Sequence, residues 1–320
     1  MKQIFTVGLF LITTFFLFAQ TNFDETINVK EVERIEKALS SNDMGGRKVF
    51  TPGIQKAANY IANEFKQIGL QSISDSTGYL QILGGRKTSD RTLENVVGVL
   101  PGKSKKDEYV IFSAHYDHLG IGKPENGDSI YNGANDDASG TTAVIMLAKY
   151  FKSLDNNERT IVFAAFTAEE IGGYGSQYFS KQFDPGKVIA MFNIEMIGTE
   201  SKWGKNSAYI TGFDKTDMGK ILQKNLERTG FTFYPDPYPS QNLFFRSDNA
   251  TLAWLGVPAH TISTSKMDSE PNYHKASDQI ETLDMDNMAM IIEAIAMSSK
   301  TIVDGIDTPT RVKAQELKLK

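Results

Sequence analysis

Residues 160–166 read Thr-Ile-Val-Phe-Ala-Ala-Phe, a run in which apolar side chains fall on both parities. A strand sends successive side chains to opposite faces, so such a run is stable only where both faces of its sheet are covered. Residues 109–112 (Tyr-Val-Ile-Phe) and 188–194 have the same character, each bounded by polar turns. Between these runs lie segments whose apolar residues recur at helical spacing, as at Ile54, Ala57, Ala58, Ile61, Ala62 and Phe65, closed by Gly69. The alternation predicts an α/β fold, a three-layer sandwich in which a mostly parallel mixed β-sheet carries helices on both faces.

The same reading predicts helices over 29–39, 138–154, 214–229, 249–255 and 285–303, with a further one ending near 182. It predicts strands over 74–83, 94–100, 108–114, 207–211 and 258–263, and polar loops over 84–91 and 265–278. Residues 231–246, rich in Phe, Tyr and Pro, read as a shaped surface loop. Neither a repeat nor a low-complexity linker interrupts the pattern, so a single domain is expected over 23–305, followed by a polar tail, 306–320, that frays.

The first residues do not belong to that domain. Lys2 precedes an almost wholly apolar stretch over 4–18, and Ala19-Gln20 then gives way to polar sequence. That order is the order of a secretory signal peptide, 1–19, cut after Ala19. There is no cysteine in the chain, which removes disulfides, thiolate nucleophiles and thiolate metal ligands. The mature protein is expected in a bacterial periplasm or the medium, without stable membrane association. A formal charge of −5 gives no basic footprint for nucleic acid. Any metal chemistry must use His, Asp and Glu.

Such residues gather where the predicted strands end. The strand at 108–114 delivers His115, Asp117 and His118, and Asn135-Asp136-Asp137 opens the helix near 138. Taken alone, each half fits a satisfied core histidine and a helix-capping aspartate pair as well as it fits a site. The strand at 160–166 then runs into Glu169-Glu170, the one at 188–194 into Glu195, and His274 lies in a loop after another. In an open α/β sheet, ligands bind at these carboxyl ends. Burying both Glu169 and Glu170 without a cation would cost on the order of several kcal/mol. His115, Asp136, Glu170, Glu195 and His274 make two imidazoles and three carboxylates. That set suffices for two Zn²⁺ ions about 3.5–4 Å apart if one carboxylate bridges them. A water between such ions is acidified towards neutral pH, and the Glu169-Glu170 pair allows one carboxylate to bind metal while the other moves protons.

Together, HYDHLG, GANDDASG, FTAEEIGGYGS, FNIEMIG, RSDNATLAWLGVPA and YHKASDQIE resemble the co-catalytic zinc aminopeptidases, a family that also holds glutamate carboxypeptidases and glutaminyl cyclases. The likeness spans about 50–300, with the motifs in the family's order. It implies that His115 and Glu195 hold one zinc, Glu170 and His274 the other, and Asp136 bridges. It further implies Glu169 as general base, Asp117 as the residue orienting His115, a hydrogen bond from Tyr273 to the oxyanion, and a cis Asp136–Asp137 peptide. Position 195 more often carries Asp in the family, and Glu195 reaches one methylene further. His118 is expected in a loop or supporting place, and His260 in the core. Asp248 is expected near the floor of the site, Asp278 beside His274, and the segments 119–132 and 231–246 as pocket walls.

The function this implies is an exported di-zinc aminopeptidase that removes N-terminal residues from peptides. A metal-bridging water attacks, Glu169 serves as base, and the free substrate amine meets carboxylates such as Glu169 and Glu195. Two alternatives remain at this level. A glutaminyl cyclase uses one zinc, and usually places Trp where Tyr273 stands. A non-catalytic binding domain on the same scaffold is the other.

Overall fold

A computed structural model describes residues 26–88 and 91–317. The expected signal peptide lies outside the described residues. The strands, in chain order, are β1 (Gln71–Ser72), β2 (Leu80–Thr88), β3 (Arg91–Leu100), β4 (Lys105–His115), β5 (Gly120–Glu125), β6 (Asp128–Tyr131), β7 (Arg159–Phe166), β8 (Val188–Ile194), β9 (Ser207–Ile210), β10 (Thr232–Pro235) and β11 (Ala259–Ser263). The helices are α1 (Val29–Leu39), α2 (Pro52–Ile68), α3 (Ser139–Leu154), α4 (Tyr174–Ser180), α5 (Met218–Asn225), α6 (Asn249–Ala253), α7 (Met285–Val303) and α8 (Ala314–Leu317).

Nine strands form one mixed sheet in the order β1-β3-β7-β4-β8-β11-β9-β10, with β2 also on β3. The parallel part is its centre, β7-β4-β8-β11, while β3 meets β7 and β9 meets β11 antiparallel. The central strands are buried along their length because each face has its own core. Val110, Phe112, Phe163 and Phe192 point into the layer of α1, α2, α3, α5 and α7, where Phe112 stacks on Phe151, Phe163 and Phe192. Ile111, Val162, Phe166 and Met191 point the other way, onto α4 and α6. The two-faced apolar runs thus produce the expected sandwich.

Helix ends follow local chemistry. Asn28 caps α1 by accepting the Glu31 amide at 3.0 Å, and Asp284 caps α7 through the Asn287 amide. Pro52 opens α2, and Gly69 closes it at φ 82°, a conformation that costs a residue without Cβ nothing.

Several expectations are corrected. The strand placed at 74–83 begins at Leu80 and runs through much of the supposed loop 84–91, pairing with β3 as an edge hairpin whose register shifts between Ile82 and Lys87. An edge strand needs no apolar alternation, since one side of it is solvated. The helix expected over 214–229 is regular only over Met218–Asn225, and 231–246 contains β10. The tail does not fray where it is described: Arg311 donates to the carbonyls of Val188 and Pro185, and Val312 and Leu317 are buried against the α4–α6 face. That face is too apolar to stay open, and the tail covers it.

Candidate metal centre

Four parallel strands end on one edge of the sheet, and the candidate ligands are there. His115 closes β4, Glu169 and Glu170 follow β7, Glu195 follows β8, and the loop after β11 brings back His274. Asp136 comes from an irregular turn before α3, joined to Asp137 by a cis peptide bond, as the family likeness implies. Gly140 allows this turn to approach β8: a Cβ there would lie 2.1 Å from the Ile194 carbonyl oxygen.

Asp136 lies at the centre. Its Oδ1 is 3.2 Å from His115 Nε2, and its Oδ2 is 3.2 Å from His274 Nε2. His274 Nε2 also lies 3.1 Å from Glu170 Oε2. One carboxylate therefore faces two imidazoles with different oxygens. Glu195 is half-buried, with its Oε2 enclosed and without a hydrogen-bond partner among the described residues. Backbone strain collects around the same atoms, with left-handed φ at Ala168 (62°), Met196 (54°) and His274 (57°), where only glycine would be unstrained.

His118 departs from expectation. It is not remote: its Nδ1 lies 2.9 Å from Glu170 Oε1, and His118, Asp136 and Glu170 offer ligand atoms within 4.8 Å of one another. The supporting aspartates are also reassigned. Asp117 was expected to orient His115, yet its carboxylate is 3.8 Å from His115 Nδ1, and its backbone carbonyl, at 3.1 Å, is the imidazole's partner. Its two carboxylate oxygens accept the amides of Glu169 (3.0 Å) and Glu170 (3.3 Å) instead. Asp278, expected at His274, accepts the amides of Asn135 (2.8 Å) and Asp136 (3.0 Å). Asp137 repeats the device, holding the amides of Gly140 and Met196.

One residue was missed altogether. Arg47 is completely buried and donates to the carbonyls of Leu39, Tyr116, Asn132 and Gly133, straddling the turns that carry His118 and Asp136. Its only signal in the sequence is the Gly45-Gly46-Arg47 turn, which carries no periodicity.

The charge balance of the site is acidic and buried. Burial pushes the carboxyls of Glu169, Asp137 and Asp248 up, and those of Asp117 and Glu195 up to about 7, although His115 opposes each shift. Burial would raise Asp136 as well, but hydrogen bonds from His115 and His274 outweigh it and hold that group well below the usual range. Burial disfavours the charged form of His274, yet Asp136 and Glu170 draw its pKa up to about 10. A buried cluster that raises its acids and binds protons on its imidazoles lacks positive charge. Asp137 Oδ2, Glu195 Oε2 and His118 Nε2 have no hydrogen-bond partner among the described residues. Imidazole nitrogens and carboxylate oxygens, with no sulfur, are a donor set that fits Zn²⁺.

Two recesses flank the cluster. The larger, about 620 Å³, runs from Glu169 and Asp248 past Gly173 to Phe245, Trp254 and Leu255. The smaller, about 40 Å³, is walled by Glu195, Met196, Tyr209, Leu243, Met267 and Tyr273. Arg246 and Ser247 belong to both walls. Tyr273 stacks on His274 with ring centroids 3.9 Å apart, and burial raises its hydroxyl pKa so that it stays a proton donor. The segment 231–246 supplies walls as expected, though Phe244 packs in the core. The segment 119–132 lines neither recess; it forms the β5–β6 hairpin, where Glu125 accepts the Ala276 amide and so braces the His274 loop. His260 is a core residue, bonded to Thr216 and the Thr211 carbonyl.

Comparison with known proteins bears on the family and the fold. Residues 95–299 match the family model described as Peptidase family M28. A probable leucine aminopeptidase from Trichophyton verrucosum is 29% identical over 203 residues, 61% of this chain and 53% of the relative. The chain thus spans about half the length of the curated relatives it matches. A zinc aminopeptidase from Bacillus subtilis superposes with a TM-score of 0.69 at 16% identity, covering 88% of this chain and 97% of that one. A glutaminyl cyclase from Bacteroides thetaiotaomicron, solved with N-acetylhistamine, superposes with a TM-score of 0.67 at 17% identity, covering 85% and 97%. At these identities the structures share the fold alone.

Proposed function

Because the chain belongs to peptidase family M28, we propose that it is a zinc aminopeptidase that hydrolyses the first peptide bond of peptides with a free N-terminus. The observation that carries this reading is the division of Asp136, one oxygen towards His115 and the other towards His274. In this reading His115 and Glu195 would hold one zinc ion and Glu170 and His274 a second, and Asp136 would serve both. His118 positions Glu170. Bound zinc supplies a Lewis acid that polarises the scissile carbonyl and acidifies water.

The chain's own residues do the rest. The substrate ammonium is paired by the Glu169 and Glu195 carboxylates, which fixes the N-terminal end of the peptide. Glu169 accepts the proton of the attacking water and returns it to the departing amine nitrogen. Asp117 keeps both glutamates in place through their backbone amides. The Tyr273 hydroxyl donates to the oxyanion that develops on the carbonyl oxygen. The apolar N-terminal stretch supports export to the periplasm or medium, with 1–19 as a cleaved signal.

The test is a panel of aminoacyl chromogenic substrates and a glutaminyl peptide, assayed with and without chelator and with zinc restored, alongside the zinc content per chain. Aminoacyl hydrolysis that disappears with chelator and returns with zinc, at two zinc per chain, supports the reading. One zinc per chain with cyclisation of the glutaminyl peptide replaces it with a cyclase, which the structural likeness to such an enzyme makes the second reading. Inertness towards both substrates with zinc bound leaves a binding domain.

A further inference from the structure

The two recesses differ in size, chemistry and neighbouring carboxylate. Glu195 walls the small one and Glu169 the large one. If Glu169 returns a proton to the departing nitrogen, that nitrogen must come within hydrogen-bond reach of its carboxylate. The ammonium is shared with Glu195, at the small recess, so the residue behind the departing nitrogen lies on the side away from Glu195 and projects its side chain into the large recess. The far wall of that recess is apolar: Phe245 and Trp254 stack with centroids 4.8 Å apart at 26°, and Leu255 continues the surface. Trp254 is 40% and Leu255 49% exposed, large apolar groups left in water at the mouth of a concave site. Such surface on a folded chain marks a place that a ligand covers.

The recess also holds two cations beside the carboxyls of Glu169 and Asp248. Lys181 and Arg246 line it, and neither forms an ion pair among the described residues. A residue that brings an apolar side chain to Trp254 and a negative group to these cations complements both features. We propose that the recess is the subsite for the residue after the scissile bond, and that it selects an apolar residue bearing a free α-carboxylate, as in a dipeptide. This assignment rests on the aminopeptidase reading and adds the class of substrate.

The zinc-loaded full chain is assayed for kcat/KM on alanylphenylalanine, alanylglycine and alanylphenylalaninamide. The first is expected to exceed each of the others by about tenfold or more, the discrimination an apolar pocket gives for a group it encloses. Trp254→Ala is expected to bring the phenylalanine-to-glycine contrast within about threefold, while Trp254→Phe preserves it. The contrast compares two substrates on one protein, so a general loss of activity does not alter it. Absence of either contrast in the unaltered protein, or survival of the phenylalanine preference in Trp254→Ala, overturns the assignment. Failure of the aminopeptidase reading looks different: no alanyl substrate is hydrolysed with zinc bound, and the subsite falls with it.

Discussion

Asp117 accepts the backbone amide of Glu169 at 3.0 Å, across 52 residues of chain. Through its other oxygen it takes the next amide, that of Glu170, so one buried carboxylate fixes the pair in which one glutamate is proposed to move protons and the other to bind metal. Asp117→Asn replaces an acceptor oxygen with an NH₂ group that faces an N–H. Zinc affinity by chelator competition, or kcat/KM, is expected to fall by about 10–100-fold, the effect of losing an outer partner of a metal site. Unchanged values in both measurements would remove this role.

Glu169 itself sits nearer the reacting atoms in our reading. Glu169→Gln and Glu169→Ala are expected to retain zinc while kcat falls by about 10²–10⁴-fold or more, the contribution of a positioned acid–base group. Metal analysis and steady-state rates on the same preparations check it. Near-normal turnover would rule out Glu169 as the base.

Arg47 closes the site from beneath by donating to four carbonyls, among them those of Tyr116 and Gly133. A lysine keeps the charge but not the planar fork. Arg47→Lys is therefore expected to destabilise the fold by about 3 kcal/mol or more, since several buried carbonyls lose their donors. Urea unfolding measures this, and a loss under about 0.5 kcal/mol would mean the carbonyls find other partners.

Stability should depend on pH through two buried groups of opposite sign. Burial raises Glu36 from 4.5 to about 8, against a hydrogen bond from Thr142 and the charge of Arg47. The unfolded chain ionises first, so this group's contribution falls as pH rises from 4.5 to 8. Glu36→Gln is expected to be stabilised relative to the parent by a margin that grows to roughly a few kcal/mol at the upper end. Burial lowers His260 from 6.5 to about 4, so its contribution is intact above 6.5 and is lost as pH falls towards 4. His260→Gln should flatten the acid side of the profile. Denaturant unfolding at intervals of pH reads both, and parallel profiles for parent and variants would count against these assignments.

The sequence alone determined the sandwich and the place of the site. Runs such as 160–166 are apolar on both parities, which forces a doubly covered sheet, and His115, Glu169-Glu170 and Glu195 stand directly after such runs. The order of motifs was enough to identify the family, and the cis link at Asp136–Asp137 came with it. Segments without periodicity carry no such signal. The polar edge hairpin of β2 and β3 has in part the composition of a loop, and the docked tail that of a free end. Only the tertiary structure decided who holds whom: Asp117 the amides of 169–170, Asp278 those of 135–136, Arg47 the carbonyls around His118, and His118 the carboxylate of Glu170. These partners are side chains meeting backbone groups or ligands far away along the chain. Local pattern encodes which face a residue occupies, whereas its partner across the crevice is fixed only when the strands and loops have been brought together.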